Sequence, residues 1–208
     1  MDVSGLDICD RARALALFEG GRRLLESIAE DDELSSVLDD LCRLVEGVLD
    51  GCHCTVLLVD VDRARMQHGA APSLPAAYTR HFEGRPALAE FGPCGMAVTL
   101  REQVIVEDLE GDERWAAGDW RTLSLSHGLR ACWSTPILSP SGVPLGTFAL
   151  YWRRPERPRA AHQDAIHQMT YIAALAIERG RTAATLARGD IPATVTSRSV
   201  QDAVERIM

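Results

Sequence analysis

The chain has 208 residues, of which 46% are hydrophobic and 25% charged, as expected for one globular domain with short extensions. Its formal net charge of −8 argues against nucleic-acid binding, because a phosphate backbone requires a clustered basic face. All 22 basic residues are arginine, so the chain has no lysine, and a Schiff-base lysine and a P-loop lysine are excluded. The chain has no asparagine either.

The N-terminal part of the chain predicts two helices. Apolar residues recur at helical spacing over residues 6–29, and Gly20-Gly21 would weaken that helix by about 1 kcal/mol per glycine, which predicts a kink or break there. A second helix is predicted over residues 32–49, with Asp31 or Asp32 as its N-cap.

Strands and short helices are predicted next. Residues 52–60 form a bounded, β-branched apolar run, and residues 64–71 could pair with it as a hairpin. Pro93 suits the first turn of a helix near residues 94–101, and Gln103–Val106 is predicted to be a short strand.

The C-terminal half predicts two paired strands and a long helix. Asp108–Ser126 is polar and predicts a loop with a short helix. Leu129–Leu138 and Leu145–Trp152 are predicted strands joined by a Ser-Pro-Ser-Gly turn, and Ala160–Leu186 is a predicted helix. Short turns between strands indicate an α/β (α+β) fold with an antiparallel sheet and terminal helices on one face.

Several separated motifs resemble the GAF domain family. They are Gly92-Pro93-Cys94-Gly95, Val104-Ile105-Val106-Glu107-Asp108, Gly128-Leu129-Arg130-Ala131-Cys132-Trp133-Ser134-Thr135-Pro136 and Leu145-Gly146-Thr147-Phe148-Ala149. The resemblance is to the proteobacterial type found ahead of histidine-kinase, cyclic-di-GMP and transcriptional output domains. It implies a five- to six-stranded antiparallel sheet with the N- and C-terminal helices on one face and a ligand cup on the other.

The resemblance also implies a domain organisation and a role. Residues 1–31 are expected to form an N-terminal helix, residues 32–187 the GAF domain, and residues 188–208 a linker or the start of an output domain. A sensory module of this kind binds a small ligand or mediates dimerisation. It would form a homodimer through its terminal helices, which relay the signal, and would have no catalytic residues.

The candidate ligand contacts are the aromatic, sulfur and basic residues that could line an apolar cup with a polar handle. They are Phe91, Cys94, Met96, Trp115, Trp120, His127, Arg130, Cys132 and Trp133. Alternation along the strand at residues 129–137 separates Arg130, Cys132 and Ser134 from the residues between them. The sequence leaves open which set faces the cup, and it does not name the ligand.

Three specific ligand types of the family are disfavoured. The cyclic-nucleotide signature Asn-Lys-Phe-Asp-Glu cannot occur without asparagine and lysine. No covalent bilin is expected, because the single Cys-His pair, Cys52-His53, lies at the start of the first strand. Haem is disfavoured because His81 and His127 are isolated histidines, and no metal site is expected because Cys52 and Cys54 face away from His53.

The alternative is an enzyme that resembles the free methionine-sulfoxide reductases, which are GAF domains with a cysteine in the matching turn. Cys94 occupies that position, and the start of a helix is expected to lower its pKa. The resolving cysteine of that family would lie within residues 108–127, where this chain has none, although Cys132 follows in the next strand.

The remaining features indicate a cytoplasmic protein without a membrane partner. No apolar run reaches membrane-spanning length, and the N-terminus lacks a signal-peptide pattern. The cysteines at positions 9, 42, 52, 54, 94 and 132 lack the spacing of a disulfide framework, so free thiols are expected.

Overall fold

The computed structural model describes residues 3–60 and 62–187, with side chains from residue 11 onward. The predicted linker or output-domain segment at residues 188–208 lies outside the described residues.

A five-stranded antiparallel sheet forms the centre of the fold, which confirms the predicted architecture. Its strands are β1 (Cys52–Asp60), β2 (Arg65–Ala70), β3 (Val104–Val106), β4 (Ala131–Leu138) and β5 (Pro144–Trp152). They lie in the order β2-β1-β5-β4-β3. Strands β4 and β5 pair side by side, with Cys132 opposite Tyr151 and Trp133 opposite Leu150.

Helices cover both faces of the sheet. They are α1 (Val3–Ala29), α2 (Leu34–Val48), α3 (Ala76–Thr79), α4 (Pro93–Leu100), α5 (Asp119–Ser126) and α6 (Ala160–Ala187), with 3-10 turns at Arg80–Phe82, Ala89–Phe91 and Glu113–Trp115. Helices α1, α2 and α6 pack in one apolar core on the first face, whereas α3, α4 and α5 contribute to a separate core on the second. The terminal helices therefore lie together, as predicted.

Helix α2 shows how the sequence produces the first core. Its buried residues recur every three or four positions and form one apolar stripe: Val37, Leu38, Leu41, Cys42, Val45 and Val48. The helix lies over strands β1 and β2, whose residues in the same core are Cys54, Val56 and Ala70. Full burial of a leucine side chain contributes about 1.5–3 kcal/mol, so burial of the stripe stabilises the packing of α2 on the sheet.

Two predictions about the N-terminal helices are wrong. Helix α1 continues through Gly20-Gly21 without a break, because a side chain at Gly20 would lie 2.4 Å from Leu44 and the two helices pack closely there. Neither Asp31 nor Asp32 caps α2, whose N-cap position is held by Glu33. Asp31 adopts φ 63 and instead binds Arg179 at 2.7 Å.

Candidate ligand site

The sheet face opposite α1, α2 and α6 is called the cup face. It carries Thr55 and Leu57 of β1, Cys132 and Ser134 of β4, and Thr147, Ala149 and Tyr151 of β5. Helices α3, α4 and α5 with the adjoining 3-10 turns form a roof over this face. The set that includes Cys132 therefore faces the cup, which answers the question that alternation left open.

The Gly-Pro-Cys-Gly motif begins α4 in close contact with the roof. Gly92 has φ 107, a conformation that favours glycine, and a side chain there would lie 2.9 Å from the Trp120 ring. A Cβ atom on Gly95 would lie 1.9 Å from the carbonyl oxygen of Leu88. The two glycines therefore let the start of α4 pack tightly, which buries Cys94 in the cup-face core.

Tyr78 connects the roof to the sheet. Its hydroxyl lies 3.1 Å from Ser124 Oγ, so it links α3 to α5. Its ring meets Tyr151 edge-on at 5.7 Å and His127 at 5.4 Å. Burial raises the pKa of Tyr78, so its hydroxyl stays protonated and available as a hydrogen-bond donor.

The Cys94 thiol is buried rather than activated. Burial raises the pKa of Cys94, and the nearby hydroxyls of Ser134, Thr147 and Tyr151 offset this only in part. Burial and the neighbouring Cys94 also raise the pKa of Cys132. The predicted lowering of the Cys94 pKa is therefore wrong, because loss of solvation outweighs the effect of the helix N-terminus.

Several buried polar atoms have no hydrogen-bond partner within the described residues. They are His53 Nδ1, Trp115 Nε1, Trp120 Nε1, Trp133 Nε1, Ser134 Oγ and Thr147 Oγ1. Ser134 Oγ and Thr147 Oγ1 lie beside the Cys94 thiol, whose pKa they lower, but they make no well-aligned hydrogen bond. All except the Trp133 atom belong to residues on the cup face or its roof. An unsatisfied buried polar group costs about 1–3 kcal/mol, and native structures usually pair such groups with protein, water or ligand.

The cup is closed by its own side chains. A cavity of about 10 Å³ remains beneath the roof, bordered by Thr55, Tyr78, Phe82 and Tyr151 among others. This volume suits about one water molecule, whereas small-molecule sites usually measure about 300–1,000 Å³. A ligand could enter only if the roof or its side chains moved.

Five of the sequence-predicted contacts lie on the cup side of the sheet, in or beside its core. Cys94, Trp115, Trp120 and Cys132 are buried there, and Met96 packs against them while remaining partly exposed. The Trp115 and Trp120 rings meet edge-on at 5.5 Å. The structure therefore brings these residues to one region.

The other predicted contacts lie around or outside this core. Phe91 is half-buried, with the Arg85 guanidinium 5.8 Å from its ring. His127 is half-buried against Tyr78. Arg130 is not positioned as a handle inside the cup, because it bonds Asp108 at 2.8 Å on the surface.

Trp133 lies on the opposite face of the sheet, away from the cup. Its ring packs against Trp152 at 4.2 Å and His162 at 5.1 Å, under the terminal helices. The structure therefore does not bring Trp133 to the candidate site, because neighbouring strand residues point to opposite faces.

Sequence reasoning missed five polar residues of the site: Tyr78, Ser124, Ser134, Thr147 and Tyr151. Ser134 follows from Cys132 by strand alternation, and the pairing of β4 with β5 then places Tyr151 beside Cys132. Tyr78 and Ser124 come from short helices, where no comparable periodic signal exists.

Residues 3–60 and 62–187 contain neither a metal-binding cluster nor a membrane-spanning helix. In this part of the chain no cluster of three or more His, Cys, Asp or Glu side chains is arranged to hold a metal ion. Nor does any helix in the same ranges combine the length and apolarity needed to cross a bilayer.

Comparison with known proteins identifies the family and one relative. The sequence profile of the GAF domain family matches residues 27–178. A methyl sulfide methyltransferase-associated sensor of Methanosarcina acetivorans is 34% identical over 181 residues, which cover 87% of this chain and 18% of that protein. The chain thus spans less than a fifth of that relative's length.

Solved structures share the fold. The GAF domain of an Acinetobacter phosphoenolpyruvate-protein phosphotransferase has a TM-score of 0.60 and 16% identity, covering 84% of this chain and 98% of that domain. The free methionine-R-sulfoxide reductase of Neisseria meningitidis, solved with its substrate, has a TM-score of 0.64 and 16% identity. The match covers 83% of this chain and 93% of that chain. The family profile, the sensor relative and the antiparallel sheet agree: the chain belongs to the GAF domain family.

Proposed function

We propose that the chain is a sensory GAF module that binds a small molecule on the cup face and relays its presence through α6 to an output domain. The observation that carries this proposal is the group of unpartnered buried polar atoms on the cup face, counted over the described residues. A bound molecule would pair them and recover part of their desolvation cost. The Methanosarcina relative, a sensor by name, supports the same class.

The end of α6 has contacts suited to a relay. Arg181 donates hydrogen bonds to the carbonyl oxygen of Val59 at 2.6 Å and to that of Leu145 at 3.3 Å, at the adjoining ends of the central strands β1 and β5. Arg179 bonds Asp31 between α1 and α2. A ligand that prefers one arrangement of the sheet would therefore bias the position of α6 and shift a two-state equilibrium.

The terminal helices offer a surface for a second copy of the chain. Leu15, Phe18 and Leu25 of α1 and Tyr171 of α6 are exposed, Phe18 by 66% and Tyr171 by 65%. Apolar side chains grouped on a helical surface commonly mark protein interfaces. We propose a homodimer through α1 and α6, as in a signalling module whose output domains work as a pair.

Native mass spectrometry with absorbance spectra tests the ligand proposal. We expect freshly purified protein to carry a small molecule that denaturation releases. A double variant, Ser134→Ala with Thr147→Val, should retain less of it, because both hydroxyls are lost while the side-chain shapes are nearly kept. Bare protein in both preparations would contradict the proposal.

Sedimentation velocity over a concentration series tests the dimer. Phe18→Glu should produce a monomer, because a charge would be buried in the proposed interface. Leu88→Glu is the matched control, since Leu88 is 46% exposed and lies in the loop before the Ala89–Phe91 turn. A wild-type monomer at high concentration would argue against the interface.

A thiol-dependent reductase is the second candidate. The specific observation in its favour is the proximity of Cys94 and Cys132, which is close enough for one thiol to raise the pKa of the other. Reduction of methionine sulfoxide would oxidise two thiols to a disulfide and release methionine and water. Burial of both thiols weighs against it, so we expect no turnover of free methionine sulfoxide with dithiothreitol above that of Cys94→Ala.

The buried thiols also bear on location. Cys42, Cys52, Cys54, Cys94 and Cys132 are all free. Free thiols are typical of a reducing compartment, and we therefore propose that the module works in the cytoplasm.

A further inference from the structure

The first turn of α6 is capped by a histidine side chain. The carbonyl oxygen of Arg159 accepts hydrogen bonds from the backbone N–H groups of His162 at 3.0 Å and Gln163 at 3.2 Å, which makes Arg159 the N-cap of the helix. In return, the backbone N–H of Arg159 donates to Nδ1 of His162 at 3.3 Å. This second bond is the side-chain half of a capping box, in which the third helical position is usually glutamate or glutamine.

The cap requires a neutral ring. The Nε2 atom of His162 lies 3.3 Å from the guanidinium Nη2 of Arg159, so both ring nitrogens face a donor of that residue. A neutral imidazole has one acceptor nitrogen, whereas an imidazolium has two N–H donors and no acceptor. Protonation of His162 would therefore remove its bond to Arg159 and set donor against donor at both nitrogens.

The surroundings of His162 oppose a positive charge. The residue is 5% exposed, and its ring centre lies 5.1 Å from that of Trp133 in β4 and 5.8 Å from that of Trp152 in β5. Burial in such a position disfavours the charged form of a histidine. The N-terminus of a helix also disfavours a cation, because that end of the helix dipole is itself positive.

The charged groups around His162 are mostly basic. Arg13 of α1, Arg154 and Arg159 disfavour its protonated form, and only Glu156 among these neighbours favours it. The Glu156 carboxylate is already paired with Arg154 at 2.9 Å and with Arg159 at 3.5 Å. Burial, followed by Arg159, holds the pKa of His162 below its ordinary 6.5.

We propose that His162 is a proton-operated cap on α6, which holds the first turn of the helix on the sheet when neutral and releases it when protonated. Release exposes the imidazole to water, where its ordinary pKa applies, so acid favours the open form. The stabilisation is complete above about pH 6.5 and is lost as the pH falls toward the folded-state pKa. The switch needs no ligand in the cup, and only its use in signalling rests on the proposed relay through α6.

Nuclear magnetic resonance of the intact chain tests the cap in the wild type. We expect one ring nitrogen of His162 to be unprotonated at about pH 7.5, and the backbone amide signal of Arg159 to titrate together with the ring. The shared midpoint should lie below 6.5. A midpoint at or above 6.5, or an Arg159 amide that does not follow the ring, would overturn the proposal.

Hydrogen exchange measures release of the turn. After correction for the intrinsic exchange rate at each pH, the amides of residues 163–166 should become about threefold to tenfold less protected between about pH 7.5 and 5.5, because opening takes up one proton. Helix α2 should keep more of its protection. Equal losses in α2 and in the first turns of α6 would contradict a local switch.

Three variants separate the cap from simple burial. His162→Gln keeps an acceptor that does not titrate, so protection of residues 163–166 should no longer depend on pH. His162→Phe keeps a ring without an acceptor, so protection should be lower than in the wild type already at about pH 7.5. His167→Gln is the matched control, because it removes an exposed imidazole from the same helix and should retain the wild-type response.

Two results with these variants would refute the cap. One is wild-type protection in His162→Phe at about pH 7.5, and the other is a wild-type pH response in His162→Gln. Because all these measurements use protein without added ligand, their failure would leave the proposed ligand-binding function untouched.

Discussion

At the scale of single residues, Thr147 and Tyr78 represent opposite uses of a buried hydroxyl. Thr147 Oγ1 lies beside the Cys94 thiol but makes no well-aligned hydrogen bond in the described chain, whereas the Tyr78 hydroxyl lies 3.1 Å from Ser124 Oγ. We therefore expect Thr147→Val to raise the free energy of unfolding by about 1 kcal/mol, and Tyr78→Phe to lower it by about as much. Urea denaturation of both variants measures this. Equal losses in the two variants would show that the Thr147 hydroxyl is paired.

His162 should make the fold sensitive to acid. It is buried beside Trp133 and Trp152, and burial, reinforced by Arg159, lowers its pKa below the ordinary 6.5. The unfolded chain then binds a proton more readily than the folded one. The stability contributed by neutral His162 is complete above about pH 6.5 and declines as the pH falls toward the folded-state pKa.

Unfolding free energies between about pH 7.5 and 5.5 test this expectation. His162→Phe keeps a ring in place without a titrating group and should reduce the slope of stability against pH. His53 and His81 also have lowered pKa values caused by burial, so some slope should remain. An identical slope in the variant and the wild type would contradict the assignment.

For Cys94, the sequence predicted the local structure but not the burial of the side chain. Its position after Gly92-Pro93 correctly predicted a helix start, but the sequence does not reveal that the sheet and roof enclose the thiol. Because its pKa is raised, native Cys94 should be alkylated no faster than the buried Cys54 near neutral pH. Peptide mass mapping after a timed iodoacetamide pulse measures both. Selective labelling of Cys94 would reopen the reductase hypothesis.

At the scale of elements, two glycines in helices should respond oppositely to alanine. A Cβ on Gly95 in α4 would lie 1.9 Å from the Leu88 carbonyl oxygen, whereas one on Gly47 in α2 would meet nothing within 4 Å. We expect Gly95→Ala to cost about 1–3 kcal/mol of stability and Gly47→Ala to add about 0.5 kcal/mol. Thermal unfolding of the pair tests this. A harmless Gly95→Ala would show that the contact between α4 and Leu88 is looser than described.

The elements were predictable where local chemistry decides them. The β4–β5 hairpin follows from two apolar runs and a turn cluster, and α2 follows from its apolar stripe. The predictions of a break in α1 and of an aspartate cap on α2 were wrong because residues distant in sequence determine the local structure at both places. Leu44 packs against Gly20, and Arg179 binds Asp31. Such contacts have no signal in a local window.

At the scale of the whole molecule, the sheet separates two layers with different properties. One face is covered by α1, α2 and α6 in an apolar core, with exposed side chains such as Phe18 and Tyr171 on its outside. The other face holds the unpartnered hydroxyls and indoles under a closed roof. In the proposed function, the shared strands would connect the ligand on one face to the relay helix α6 on the other.

The candidate site was also predictable only in part, because contacts between residues distant in sequence decide which side chains meet there. Cys94 and Cys132 lie in the motifs of the family resemblance, and Trp115 and Trp120 were expected to line an apolar cup; all four lie on the cup side. Strand alternation separated Cys132 from Trp133 but could not say which face the terminal helices cover. That choice depends on packing between segments more than a hundred residues apart, such as α1 and α6.

The most direct test of the account is hydrogen–deuterium exchange across the sheet. Protein as purified is compared with the same protein after unfolding and refolding, which removes any retained molecule. We expect slower exchange before removal in two places, the roof segments 76–82 and 113–126 and the last turns of α6, with α2 unchanged. Identical exchange in both preparations would contradict a cup-face ligand that acts on α6.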